Sequence, residues 1–220
     1  MKRLLVLLCM ALAIPATAYA SLSGSGGGTT IANGQATLVS NTSSPFSYLS
    51  YNDLNGQAVG NLTELSADVI SAQYGGGSPR FSIDVSNGAT TKSIFVYLGD
   101  LPNLASGGTG DTGNLLDSTA NGARVDSTQV GGPFYGTWAD AVSAATSSGY
   151  TTITGISFVV DSGWAQTSGS QTVVVDALSI NGMVYTFSAT TKSDCKNGNW
   201  QLLGYKNQGS CISAVEANSK

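Results

Sequence analysis

In Arg80–Ser86 (RFSIDVS) every second side chain is apolar: Phe81, Ile83 and Val85 share one face, and Arg80, Ser82 and Asp84 the other. Period-two alternation over this length is the signature of a half-buried β-strand. The pattern recurs along the chain and constrains the fold class more than any other feature. Residues 152–161 repeat it, with Ile156, Phe158 and Val160 in phase. Residues 93–99 (SIFVYLG) are apolar on both faces and predict a central strand, joined to 80–86 through Asn87-Gly88. Gln171–Ile180 and residues 183–187 flank Asn181-Gly182. That dipeptide is a strong hairpin signal, because a type I′ turn needs two residues that tolerate positive φ. Weaker strands are expected at 36–40, 65–73 and 123–127.

Only one helix stands out. Thr137 can cap it, Asp140 suits its first turn, and Trp138, Ala141, Val142 and Ala145 follow helical spacing before Ser147-Ser148-Gly149. About eight short strands, Gly-rich turns and a lone helix predict a mainly β protein. The expected architecture is an antiparallel β-sandwich, jelly-roll-like, with one short helix near 137–147 and a small disulfide-closed C-terminal module.

The organisation follows from shifts in texture. Residues 1–20 have Lys2 and Arg3, an apolar run over 4–14, and Ala18-Tyr19-Ala20. They read as a signal peptide cleaved after Ala20, which predicts export to an extracellular compartment and no membrane insertion after removal. Residues 21–28 (SLSGSGGG) read as a flexible leader with nothing to bury. Residues 29–190 form the sandwich. Residues 191–220 form a separate module, docked through Trp200, Leu203 and Tyr205. Cys9 falls in the apolar run of the signal. Cys195 and Cys211 remain, and in an exported chain they most simply pair, with a metal site as the alternative.

Charge narrows the function classes. Of nine Lys and Arg, two fall in the signal; the remaining seven against 13 Asp and Glu leave a balance of −6. Such a chain is a poor partner for nucleic acid or anionic membranes, which need clustered cations. No histidine is present, so neither a Ser-His-Asp triad nor a His-ligated metal can be built. Glycoside hydrolysis needs a facing carboxylate pair, and the only glutamates are Glu64 and Glu216. The reading is therefore a protein that is not an enzyme, with a carboxylate-dependent hydrolase as the remote alternative.

The runs GGGSPRFSIDV, SIFVYLGD, ITGISFVVDSGW and QTVVVDALSING together resemble secreted bacterial β-sandwich domains of the jelly-roll, galactose-binding-like or carbohydrate-binding-module-like kind. The resemblance covers roughly residues 60 to 190. The tail DCKNGNWQLLGYKNQGSC is similar to a short motif, Cys-Lys-Asn-Gly-x-Trp followed by Lys-Asn-Gln-Gly-x-Cys, that ends many exported bacterial proteins. The first resemblance implies a fold and a class of extracellular polysaccharide or cell-envelope partners; the second implies no chemistry.

Candidate sites follow. Trp164, just after the strand ending at Asp161, and Tyr135 are the candidate ligand contacts, because an aromatic face covers the C–H side of a sugar ring. Trp138 lies on the helix stripe and reads as core. Asp176 shares its expected strand face with Val174, Leu178 and Ile180. If that face is the core, Asp176 needs a partner such as Arg80 or Arg124, or a structural Ca²⁺ of the kind that ties the closing strand of similar jelly rolls; otherwise the face points outward. Residues 108–113 (GTGDTG) fit G-x-G-x-x-G, but no strand leads in and no helix opens after them, so they read as part of a surface loop over 101–113. Sequons at Asn41 and Asn61 carry little weight in a chain with a bacterial-type leader. Two functions remain: a secreted, non-catalytic sandwich that binds carbohydrate, or a structural or adhesive module that takes no small ligand.

Overall fold

The computed structural model describes residues 22–218; the expected signal peptide and its cleavage site lie outside them. Twelve strands run in chain order: β1 Gly24–Gly26, β2 Gly28–Ala32, β3 Gln35–Ser40, β4 Ser47–Tyr51, β5 Leu65–Ala72, β6 Arg80–Ser86, β7 Thr91–Tyr97, β8 Gly110–Asp111, β9 Val125–Asp126, β10 Thr152–Val160, β11 Gln171–Ile180 and β12 Met183–Thr186. Helices are α1 Ser118–Asn121, α2 Trp138–Ser147, α3 Asn199–Leu202 and α4 Gln208–Asn218.

The strands form two antiparallel sheets. One has the order β2-β3-β11-β5-β8, with β12 also on β11; the other is β1-β4-β10-β6-β7-β9. Consecutive strands β3, β4, β5 and β6 fall alternately in the two sheets, and β10 and β11 return between them. This wrapping is the jelly roll. The inner faces meet in one core in which Phe81, Ile83, Val85, Phe158, Leu38 and Leu178 are all inaccessible. Alternation in Arg80–Ser86 appears as strict burial alternation, with Phe81 edge-on to Phe158 at 5.3 Å between ring centres. Asn181 and Gly182 both take positive φ, 53° and 74°, as the β11–β12 hairpin requires.

Helix α2 forms where capping and periodicity agree. The Thr137 hydroxyl accepts from the Asp140 backbone N–H, and the Asp140 carboxylate accepts from the Thr137 N–H, a complete capping box. Trp138, Ala141 and Ala145 are buried, and the Trp138 indole N–H donates to the Leu62 carbonyl at 2.8 Å. Trp138 is a core residue.

Three features depart from the sequence reading. First, residues 24–26 are not a free leader: they pair with β4 as β1, and β2 follows at once on the other sheet. The glycines there are packed. A Cβ on Gly26 would stand 2.7 Å from the Tyr48 ring, and one on Gly28 would overlap the Val39 carbonyl. Low side-chain bulk signals close backbone approach as readily as flexibility. Second, β4 was not anticipated, although Ser47, Leu49 and Tyr51 alternate inward. Third, Asp176 does not share a core face. The β11–β5 pairing slips between Val175 and Ala177, so Val173 and Val175 point inward before the slip, Leu178 and Ile180 after it, and Asp176 is exposed at the irregularity.

The C-terminal segment has its own centre. Cys195 and Cys211 form a disulfide and are buried with Ala189 and Val215. Trp200, Leu203 and Tyr205 pack on this centre, while Leu202 packs against the sandwich core and the Gly204 backbone lies on the Ile31 carbonyl. A disulfide suits an oxidising, extracellular environment. Among the described residues no helix is long and apolar enough to cross a membrane.

Candidate functional site

Phe46, Trp164, Phe134, Tyr135 and Ile70 are the large apolar side chains left exposed among the described residues. Strand register gathers the first four at one end of the second sheet. Phe46 precedes Ser47, which pairs with Val160 at the end of β10. Trp164 follows β10 in a single 3-10 turn, Gly163–Ala165. Across β6, Arg80 pairs with Tyr97 at the end of β7, and the Phe134 ring stands 6.2 Å from Tyr97 and 4.5 Å from Tyr135.

Trp164 and Tyr135, both far beyond β6 in the chain, are linked by two glycines before that strand. Gly76 and Gly77 take φ of +59° and +77°. A Cβ on Gly76 would come within 3.0 Å of the Trp164 ring, and one on Gly77 within 3.1 Å of the Tyr97 ring. The strip therefore runs Trp164, Gly76, Gly77, Tyr97, Phe134, Tyr135. Exposure is high at both ends of the strip and low between them: Trp164 is 78% exposed, Phe134 and Tyr135 are 49% and 40% exposed, and Tyr97 is buried. An indole so open to water gains almost no burial energy, so packing does not account for it.

Beneath the exposed rings the rim is tightly braced. Gln171 is fully buried; its side-chain oxygen accepts from the Ser78 hydroxyl and the Ser162 N–H, and its amide donates to the Gln73 and Ser78 carbonyls. Both polar ends are thus satisfied, as burial demands. The Ser162 hydroxyl donates to the Gly76 carbonyl at 3.0 Å, and the Gly163 N–H donates to the Ser40 hydroxyl at 3.1 Å. A Cβ on Gly163 would overlap the Ser40 carbonyl, so the turn that carries Trp164 admits only glycine there. Arg80 and Asp161 form a two-pronged ion pair at 2.7 and 2.5 Å, and the guanidinium lies 4.8 Å over the Phe95 ring. The Tyr97 hydroxyl donates to the Asp126 carboxylate at 3.2 Å; burial, with that carboxylate beside it, pushes the phenol well above its ordinary value.

Gln171 was not singled out by sequence reasoning. A polar residue opening the apolar strand QTVVVDALSI was the available signal. Asp176 lies elsewhere, on the outer side of the first sheet, exposed. Among the described residues no group of three or more His, Cys, Asp or Glu side chains could hold a metal ion, and Asp176 belongs to no such cluster. Residues 108–113 open no helix: Gly110–Asp111 make the two-residue strand β8, and the Asp111 side chain accepts from the Gly113 N–H in a local turn. Arg124, buried nearby, donates to the carbonyls of Tyr97, Leu98 and Asn121; desolvation lowers its pKa. A groove of about 630 Å³ beside α2 is floored by Leu62, Leu116, Trp138 and Val142. Its one carboxylate, Asp117, already caps α1.

Comparison with family models, curated proteins and solved structures gives no match for this chain. The site's own geometry is what bears on function.

Proposed function

We propose that the protein is an exported, non-catalytic β-sandwich that binds extracellular carbohydrate through the aromatic rim, with Trp164 and Tyr135 as its contacts. The observation that carries this reading is the solvent-exposed indole of Trp164, set on a turn fixed by Gly163 and Gln171. A rigid apolar plate costs little conformational entropy to present and covers the C–H face of a pyranose. Side chains from the adjoining β3–β4 loop, Asn41, Ser43 and Ser44, supply groups that can bond sugar hydroxyls.

Replacing Trp164 with Ala tests it. Because the ring is exposed, the melting temperature should move by less than the equivalent of about 0.5 kcal/mol. Retention on a polysaccharide affinity gel should fall at least about tenfold, as for an aromatic hot spot. Unchanged retention would remove Trp164 from the site. If W164A instead abolished association with another protein while no glycan bound either form, the rim would serve the structural or adhesive alternative.

A further inference from the structure

The charged groups of the sandwich restrict what such a rim can hold. Residues 22–189 contain three cations, Arg80, Lys92 and Arg124, against eleven carboxylates, a balance of −8. None of the three offers an unpaired charge at the rim. Arg124 is buried and donates only to backbone carbonyls. Arg80, the one of the three at the rim, has both terminal nitrogens on Asp161, with one also on the Gly77 carbonyl, and its guanidinium carbon lies 4.8 Å over the Phe95 ring. Lys92 is near the opposite end of β7, with its ammonium 4.6 Å over the Tyr150 ring. The other described lysines, Lys192, Lys196 and Lys206, belong to the C-terminal segment, and Lys192 pairs with Glu216. An acidic polysaccharide carries a carboxylate or sulfate on many of its rings. Binding one here would bring those charges toward a net negative domain whose one rim cation, Arg80, is already held by Asp161.

We infer that the rim takes a neutral polysaccharide, an uncharged hexose or pentose polymer, and discriminates against uronic-acid and sulfated glycans. This inference rests on the carbohydrate reading of the rim and narrows its ligand. The pairing Tyr48–Val159–Arg80–Tyr97 places one row across four strands, so the rim spans three inter-strand steps, roughly 14 Å. Phe46, stacked on Tyr48 at 5.9 Å, extends the row at one side, and Phe134 and Tyr135 extend it at the other. That length suits consecutive rings of a chain better than a single sugar. Stacking and neutral hydrogen bonds then supply the affinity, which makes binding insensitive to salt.

The test is affinity electrophoresis of the disulfide-intact protein and of W164A through gels containing cellulose derivatives, xylan, mannan or mixed-linkage glucan, and in parallel polygalacturonate, alginate or a sulfated galactan. Each gel is run at low and high salt, with circular dichroism to confirm that both forms are folded. The expected result is retardation by at least one neutral polymer, unchanged by salt and reduced about tenfold in W164A. Retardation by acidic polymers alone, sensitive to Trp164, would overturn the neutral-ligand inference and leave the carbohydrate reading standing. Retardation by none of the polymers, with a folded protein, would overturn both.

Discussion

The sandwich and the C-terminal segment bury their centres by different means. The sandwich joins 35 buried side chains in one cluster, from Leu22 to Phe187. The C-terminal segment has four, Ala189, Cys195, Cys211 and Val215, of which two are the disulfide itself. A centre of that size cannot offset the conformational entropy of about thirty residues. The covalent link shortens the unfolded chain instead. The difference teaches that an oxidising environment matters unequally along this chain: the sandwich holds by area, and the tail depends on an oxidised cysteine pair.

The largest test is on the sandwich side. Phe158→Ala removes a fully buried ring that packs edge-on against Phe81. It should cost about 3–5 kcal/mol in urea unfolding, because the strands around it cannot collapse into the space. A cost below about 1 kcal/mol would mean that the core is loose and the contrast is false. The second test is on the tail. Cys195→Ser with Cys211→Ser should destabilise the C-terminal segment by about 3 kcal/mol and expose it to protease, while the sandwich keeps its melting temperature. An equal fall in both would show one cooperative unit.

A third substitution examines the seam. Gly204 has φ +75° and its backbone rests on the Ile31 carbonyl. Gly204→Ala should cost about 1–3 kcal/mol through overlap and strain, and hydrogen exchange should rise in the tail but not in β10 or β6. The smallest effect is in pH. At Asp194 burial pushes the carboxyl up, but hydrogen bonds from the Thr191 and Thr190 backbone and hydroxyls outweigh it, and its pKa is lowered. A depressed carboxylate stabilises the fold above its unfolded value, near about 4, and that contribution is lost as pH falls through the lower folded value. Tyr51 and Tyr185 are raised, first by burial. Their contribution is complete below the unfolded value, near about 10, and is lost as pH climbs through the higher folded ones. Tail amides should therefore exchange first in acid, and the sandwich should weaken in strong base. Simultaneous loss of both in acid would remove the distinction.

Much of the fold was legible because it rests on local chemistry. Alternation in Arg80–Ser86, the Asn181-Gly182 turn and the Thr137–Asp140 capping box each involve neighbours within a few residues. Of the site, Trp164 and Tyr135 were legible as exposed-aromatic candidates; their alignment with Gly76 and Gly77 was not, since it depends on which strands lie side by side. Asp176 was misplaced because period-two counting assumes an unbroken register, and β11 slips by one residue at that point. Two apolar runs out of step by one, Val173 and Val175 against Leu178 and Ile180, were the trace of that slip in the sequence.

By itself, then, the sequence determined the strand-rich class, the hairpin and helix termini, and an acidic chain whose two late cysteines sit 16 residues apart. Those follow from backbone preference, apolar period and composition, all short-range or additive properties. The tertiary structure alone decided that the N-terminal glycines are packed, that Asp176 faces water, and that Gln171 and Gly163 hold Trp164 open at the rim. Each of these depends on contacts between residues far apart in the chain, where steric fit and burial outrank local propensity.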